Sequence, residues 1–236
     1  EKSVAAALSQ YGIKASVLSD WEFVNRFWPV KKSKAEIAYM LGIYKDMEAV
    51  TQELQQSFSE KQWGADINET SKNGLKASLE KINGSRFYLT EKYDSAEVSL
   101  IKALQLGDFY GNEFFISKVH DDLAQLYYKQ EMYDKALAHL DSILANPLYL
   151  NDSRNKGTEQ NIKAVQSQRA ICLARLGRFE EALEVIEPVV LYFKKGNDKR
   201  AYAEALRKKA KILMLQYDAT GNYNPEAVTC YQQYLT

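Results

Sequence analysis

An internal repeat, present three times, constrains the fold of this chain more than any other feature. In each copy a small residue lies 12 positions before an alanine, and an aromatic residue lies three positions before that alanine. The copies are Gly84, Tyr93 and Ala96; Ala124, Tyr133 and Ala136; and Ala170, Phe179 and Ala182. Repetition on this scale is typical of stacked supersecondary units that cannot bury their apolar faces alone.

The residues after each alanine predict a helix. Apolar residues recur at offsets of four, seven and eight, which places them on one stripe of a 3.6-residue helix. The stripes are Ala96, Leu100, Ala103 and Leu104; Ala136, Leu140, Ile143 and Leu144; and Ala182, Ile186, Val189 and Val190. With only four prolines and no alternating strand pattern, the chain is predicted to be all-α. Each copy is then a helix, a tight turn and an antiparallel helix, in which the small residue permits close approach and the aromatic fills the turn.

This pattern of small residue, aromatic and alanine resembles the tetratricopeptide repeat family, best of all in Leu176–Leu183. The resemblance implies a right-handed superhelix of antiparallel helix pairs. The closing alanines at 96, 136, 182 and 227 are 40, 46 and 45 residues apart, against about 34 in the family. We expect the excess in longer helices or in the loops 146–161 and 194–200. Such lengthened repeats are similar to those of bacterial signalling proteins, including peptide-sensing regulators and two-component sensors.

Three segments are predicted along the chain: capping helices in 1–32, a degenerate helix pair in 33–66, and three to four lengthened repeats in 67–236. The closing position of the degenerate pair stays open between Ala49 and Val50. The aromatic segment Trp21–Trp28 is interpreted either as a cap over the first repeat or as a docking surface for a neighbouring domain. The fourth repeat is looser, and its two predicted helix faces are Leu206, Ala210 and Leu213, then Ala227, Tyr231, Tyr234 and Leu235.

Composition excludes several classes of partner. Basic and acidic residues number 31 each, so no net field attracts nucleic acid. No run approaches the roughly 18 apolar residues of a membrane-spanning helix, so we expect no membrane contact in this segment. The cysteines Cys172 and Cys230 are predicted to be packed helix residues, which leaves the compartment open. The chain ends within an apolar-periodic segment, and we expect it to be a fragment of a longer polypeptide.

The sequence carries no positive signal for catalysis. Neither a phosphate-binding glycine loop, nor a dinucleotide fingerprint, nor a nucleophile elbow is present. His120 lies on the packing face of its helix, so a core or interface histidine is favoured over a metal ligand. The pair Glu180 and Glu181 is interpreted as solvated charge at a helix start. We therefore expect no enzyme activity, no cofactor and no metal.

The resemblance implies that the first helices of the pairs line a concave groove that binds a ligand. Carried onto this chain, the groove positions are Lys81, Ser85, Tyr88, Asp121, Asp122, Gln125, Tyr128, Lys129, Ser167, Gln168, Ile171, Arg175, Arg207, Lys208 and Lys211. They form an acidic, amide and aromatic patch in the middle and a basic patch toward the C-terminal repeat, which suits an extended peptide. The family's carboxylate clamp for chaperone C-termini is disfavoured, because Lys81 matches it but Ser85, Asp122, Ala164 and Gln168 do not.

The functional prediction is a protein-binding or peptide-binding module, the sensory or partner-docking segment of a larger bacterial signalling protein. An extracytoplasmic sensor segment is favoured over a cytoplasmic one. Two alternatives stay open. In one, the repeats bind a signalling peptide and the N-terminal helices act on a DNA-binding or phosphotransfer partner; in the other, the chain is a structural scaffold or homo-oligomer that associates through exposed tyrosines.

Overall fold

The computed structural model describes residue 15 and residues 18–65, 67–146, 158–196 and 198–235. Helices dominate this part of the chain, and they are α1 (Asp20–Glu22), a π-helical turn (Phe23–Phe27), α2 (Trp28–Met40), α3 (Tyr44–Glu60), α4 (Glu69–Leu89), α5 (Tyr93–Tyr110), α6 (Glu113–Lys129), α7 (Tyr133–Ala145), α8 (Thr158–Arg175), α9 (Phe179–Lys195), α10 (Lys199–Thr220) and α11 (Glu226–Leu235). From α2 onward they form antiparallel pairs, as the sequence predicts. Two compact units, 1–119 and 120–236, divide the chain within α6.

The turns inside four helix pairs share one geometry. Each first helix ends in a left-handed residue, and these residues are Gly42, Glu91, Glu131 and Gly177, with φ between 57° and 78°. The next residue donates its backbone N–H to the carbonyl five positions earlier, at 2.9 Å in every case: Ile43 to Ala38, Lys92 to Phe87, Met132 to Tyr127, and Arg178 to Leu173. This is the Schellman motif, which satisfies helix-end carbonyls and reverses the chain at once. The predicted tight turn is confirmed.

Three first helices begin at polar caps. The side-chain oxygens of Asn68, Asn112 and Asp198 accept the backbone N–H groups of Ser71, Phe115 and Ala201 at 2.8, 2.9 and 3.0 Å. Each cap satisfies a donor that has no partner inside its own helix. The first helices α4, α6 and α10 therefore start at a side-chain cap, whereas the second helices α3, α5, α7 and α9 start directly after a Schellman turn.

The predicted packing positions lie in the core. Ala96, Ala136 and Ala182 are fully buried on the second helices, and so are the small residues Ala124 and Ala170 on the first. At Gly84 the helices approach so closely that an added Cβ would lie 2.6 Å from Leu100 Cγ. These contacts explain why the repeat keeps a small residue at this position.

The register of the degenerate pair differs from the prediction. Helix α3 begins at Tyr44 just as α5 begins at Tyr93, which places the closing position at Met47, 1% exposed, and not at Ala49 or Val50. Ala49 is exposed, whereas Val50 is buried one position off the repeat register. The sequence pattern failed here because a methionine replaces the closing alanine and Thr51 replaces the next apolar residue.

The fourth repeat also differs. Leu206, Ala210 and Leu213 are buried on α10, as predicted. On α11 the buried residues are Ala227 and Cys230, while Tyr234 is exposed. The helix follows a longer connection without the Schellman turn, and Ala227 is its second residue rather than its fourth. Of the predicted apolar face of this helix, Ala227 is buried and Tyr231 half-buried, whereas Tyr234 is exposed, and the side chain of Leu235 lies outside the described part.

In the described residues, part of the extra length of the repeats lies in helices. Helix α9 extends to Lys195 and α10 spans 22 residues, so the predicted loop 194–200 contracts to a short turn. Most of the predicted loop 146–161 lies outside the described residues, although α8 already begins at Thr158.

In the unit 1–119, the aromatic N-terminal segment packs into the core. The Phe23 ring centroid lies 5.3 Å from those of Phe27 and Trp63 and 5.9 Å from that of Trp28. Trp21 points outward and is 60% exposed. Most rings of this segment thus lie in the core of the unit, while residues 1–14, 16 and 17 of the predicted cap lie outside the described part.

Charged residues also lie in both cores. Asp20 accepts from the Lys61 ammonium at 2.8 Å and from the Gly64 backbone N–H at 2.9 Å, and so holds α1 to the segment after α3. In the unit 120–236, the Lys209 ammonium on α10 lies 2.5 Å from carboxylates of both Glu187 and Glu226. A buried cation with two carboxylates is tolerated because its hydrogen bonds are satisfied.

Both cysteines are buried and free, as the prediction of packed helix residues requires. Burial, with a smaller effect of Asp141, raises the pKa of the Cys172 thiol to about 11. Across the described residues, no helix is long and apolar enough to cross a membrane.

Candidate functional site

In the unit 120–236, three successive first helices bring side chains to one point. Tyr128 on α6, Arg175 on α8 and Lys211 on α10 were all predicted groove positions. The Lys211 ammonium donates to the Tyr128 hydroxyl at 3.4 Å, although the residues are 83 positions apart. The Tyr128 hydroxyl lies near enough to Arg175 to raise the pKa of its guanidinium, and that guanidinium lies 5.9 Å from the centroid of the Tyr133 ring. We call Tyr128, Tyr133, Arg175 and Lys211 the Tyr128 cluster.

The two rings of the cluster form an edge-to-face pair. The centroids of Tyr128 and Tyr133 are 5.4 Å apart at an interplanar angle of 61°. Burial raises the pKa of the Tyr133 hydroxyl, and the Arg175 charge opposes that effect. The phenol therefore stays protonated at neutral pH and can donate a hydrogen bond.

Arg175 keeps its charge in this setting. Burial acts to lower the pKa of the guanidinium, but the nearby hydroxyls of Tyr128 and Tyr133 raise it above its ordinary value. Arg175 is nevertheless exposed. A charged guanidinium that is exposed and lies against aromatic rings can pair with a carboxylate or with peptide carbonyls.

A second group of charges lies on the same helices. Burial lowers the pKa of the Lys208 ammonium, and Arg207 lowers it further, while Glu204 and Asp121 favour its charged form. Arg207 forms two bonds to Glu204, of 2.8 and 2.6 Å, along its own helix. Asp121 also accepts from the Gln125 amide at 3.2 Å.

The remaining predicted positions fall into two groups. Asp122 and Gln168 are half-buried and Lys129 is exposed on the first helices of the second unit. Lys81 and Tyr88 belong to the first unit, where the Tyr88 ring lies 6.3 Å from that of Tyr93 and burial raises the pKa of the Tyr88 hydroxyl.

Three predicted groove residues are buried instead. Ser85, Ile171 and Ser167 are no more than 7% exposed. The hydroxyls of Ser85 and Ser167 donate to the carbonyls of Lys81 and Lys163, one turn earlier in their own helices. A serine that satisfies its hydroxyl in this way can pack inside the array, so these residues do not face a ligand.

Tyr133 is the functional candidate that sequence reasoning missed. It was assigned only to fill the turn, yet it also contacts the surface residues Tyr128 and Arg175. A signal was present, because Tyr88 and Tyr93 repeat the spacing of Tyr128 and Tyr133 and also form a ring pair.

The histidines form a pair. Nδ1 of His120 lies 2.8 Å from Nδ1 of His139, and the His139 ring stacks on Tyr127 at a centroid distance of 5.4 Å. His120 thus lies at the interface of α6 and α7, as predicted. Throughout the described ranges, no three histidine, cysteine, aspartate or glutamate residues are grouped as metal ligands. Glu181 forms two bonds to Arg178 at the exposed start of α9, which agrees with the predicted role of surface charge.

Comparison with known proteins bears on the fold. No protein-family model and no curated protein matches the sequence. Two crystal structures of nearly identical TPR-like repeats from a putative kinesin light chain of Podosopora anserina match it, one of them a single-substitution variant. The TM-scores are 0.59 and 0.60, and each match has 16% sequence identity and covers 86% of this chain and 92% of the other. The chain has a tetratricopeptide-like repeat fold. At this level of identity the likeness concerns the fold of the repeats alone.

Proposed function

We propose that this chain is a binding module that holds an extended peptide segment of a partner protein against the first helices of residues 120–236. A tetratricopeptide-like repeat fold suggests a protein-interaction module and is typically non-catalytic. The observation that carries the proposal is the convergence of Tyr128, Arg175 and Lys211 from three first helices.

The chemistry of the Tyr128 cluster suits a peptide anchor. Tyrosine and arginine are enriched among residues that dominate binding energy, since they offer large rigid contact area together with hydrogen-bond donors. The two hydroxyls, the guanidinium and the ammonium can meet peptide carbonyls or an acidic side chain. The ring faces accept an apolar or aromatic side chain beside them.

The cluster is also preorganised. Lys211 donates to Tyr128, the Arg175 guanidinium lies over the Tyr133 ring, and the Tyr128 ring packs against Tyr133, so few rotamers would be lost on binding. Such preorganisation saves about 0.5–1.5 kcal/mol for each side chain that need not be ordered. A partner segment would then gain most of its affinity from the Tyr128 cluster. The rest of the first-helix surface would set the chain direction in which the segment binds.

The broader role remains a prediction from the sequence. A sensory or partner-docking segment of a bacterial signalling protein was inferred from the lengthened repeats, and the matching structures are described as a kinesin light chain. We propose peptide binding for this chain independently of that role.

The proposal is tested by selecting displayed peptides on the whole chain and titrating the selected peptides by calorimetry. We expect Arg175→Ala to weaken binding at least tenfold, which corresponds to about 1.4 kcal/mol. Arg200→Ala is the matched control, because Arg200 is exposed on α10 and outside the Tyr128 cluster. Equal affinity in both variants would reject the site. A melting temperature that rises with protein concentration, with no peptide selected, would instead indicate self-association.

A further inference from the structure

A cleft opens within the unit 1–119, away from the Tyr128 cluster. It lies between the N-terminal part of α2, the middle of α4 and the start of α6, and its volume is about 480 Å³. Trp28, Leu75 and Phe115 contribute apolar surface from these three helices. This volume is within the usual range of small-molecule sites, roughly 300–1,000 Å³.

Three lysines line the same cleft, one from each helix: Lys32, Lys81 and Lys118. All three are half-buried. Glu36 is the one carboxylate among the described residues of the lining, and it lies 3.7 Å from the Lys32 ammonium. Among the described residues of the lining, lysines thus outnumber carboxylates by three to one, in a chain with equal numbers of acidic and basic residues.

An apolar cleft with a cationic lining favours one kind of ligand. A neutral apolar compound would make no ionic contact with the three ammonium groups, and a fully polar anion would leave the surfaces of Trp28 and Phe115 in water. A compound with a hydrocarbon body and one negative group satisfies both. Positive charges gathered around a low-dielectric surface also concentrate an anion there.

We propose that this cleft binds a small amphipathic carboxylate, an alkanoic or aryl-alkanoic acid, with its hydrocarbon body against Trp28, Leu75 and Phe115 and its carboxylate among the three lysines. The site is separate from the peptide surface proposed above, in residues and in ligand. The ligand has one polar end and one apolar end, so it enters in a single orientation.

The first test compares ligands of matched shape. Decanoate and 3-phenylpropionate are titrated into the whole chain by calorimetry, with decanamide and acetate as the neutral and the purely polar counterparts. We expect both test acids to bind, and decanamide and acetate to bind at least tenfold more weakly. Raising the salt concentration should weaken the binding of the acids and leave the binding of the amide unchanged. Equal affinity for decanoate and decanamide, or no binding of either acid, would overturn the proposal.

The second test places the site. Lys118→Gln and Lys81→Gln should each weaken decanoate binding about tenfold, because each removes one charge-assisted contact. Lys76→Gln and Lys34→Gln are the matched controls, since both lysines are exposed on α4 and α2 outside the lining. A control that weakens binding as much as the cleft variants would show nonspecific ion pairing and reject the site. Arg175→Ala should leave decanoate binding unchanged, so the two proposals fail independently.

Discussion

Replacing Gly84 with alanine should destabilise the chain, although alanine is the better helix former. Gly84 lies on α4 where α5 passes closest. A Cβ added there would lie 2.6 Å from Cγ and 2.7 Å from Cδ2 of Leu100. Carbon atoms in contact prefer about 3.5–4.0 Å, so the helices or the leucine must move by roughly 1 Å. Leu100 is 1% exposed and has little room to do so.

The size of the effect follows from two opposing contributions. Alanine stabilises a helix interior by about 1 kcal/mol relative to glycine. Overpacking a filled core costs about 1–3 kcal/mol. The difference is a net loss of about 1 kcal/mol in the free energy of unfolding, with a range of roughly 0–2. The next two repeats already have alanine at this position, as Ala124 and Ala170. The prediction therefore applies only to the pair α4 and α5.

Urea unfolding followed by circular dichroism measures this, in a double-mutant cycle with Leu100→Ala. That substitution alone should cost about 2–5 kcal/mol. In the Gly84→Ala background it should cost less, because the new methyl group occupies part of the space that the leucine leaves. A Gly84→Ala variant that is more stable by about 1 kcal/mol would show the gain in helix propensity alone, and the close packing inferred here would be refuted.

Three further results are expected. Glu131→Gly should raise the free energy of unfolding by about 0.5–1 kcal/mol, because glycine removes the strain of a left-handed residue. Gly177→Ala should lower it by about 1 kcal/mol for the converse reason. Urea melts measure both changes, and two variants as stable as the parent would contradict the turn geometry. Lys209→Met should lower the free energy of unfolding by about 1–3 kcal/mol, since it leaves two carboxylates without their cation, and an unchanged urea midpoint would argue against the buried triad. Cys172 should react with iodoacetamide at pH 8 at least about 100-fold faster in urea than in the native state. The raised pKa leaves about 0.1% of the native thiol as thiolate at this pH, whereas about a quarter of an ordinary cysteine is thiolate. Mass spectrometry locates the label, and equal reaction rates in the two states would contradict the burial of Cys172.

The sequence predicted the second helices well, because burial against one neighbour forces a simple apolar stripe. Ala96, Ala136 and Ala182 were identified for that reason. The prediction failed where the residue types in the apolar stripe differ from those of the other repeats. Met47 replaces the small residue, and α11 lacks the turn that sets the register of the other second helices. Turn geometry was predictable in kind but not in detail, since Glu91 and Glu131 adopt a conformation usually given to glycine.

The candidate surface was only partly predictable. Helix periodicity identifies which residues of a first helix avoid its partner, and of the residues so identified Arg175 is exposed and Tyr128 half-buried. It cannot show that Lys211 meets Tyr128, because that contact depends on the lengths of all the helices between them. Nor does it distinguish Ser167, whose hydroxyl is satisfied within its own helix, from a serine that faces a ligand.

Photo-crosslinking locates the bound peptide most directly. A selected peptide is incubated with the chain carrying p-benzoylphenylalanine in place of Gln168, on the first helix α8, or in place of Leu191, which is 52% exposed on the second helix α9. Binding across the first helices predicts a crosslink from position 168 and none from position 191. A crosslink from position 191 alone would place the partner on the opposite helices and contradict the proposed function.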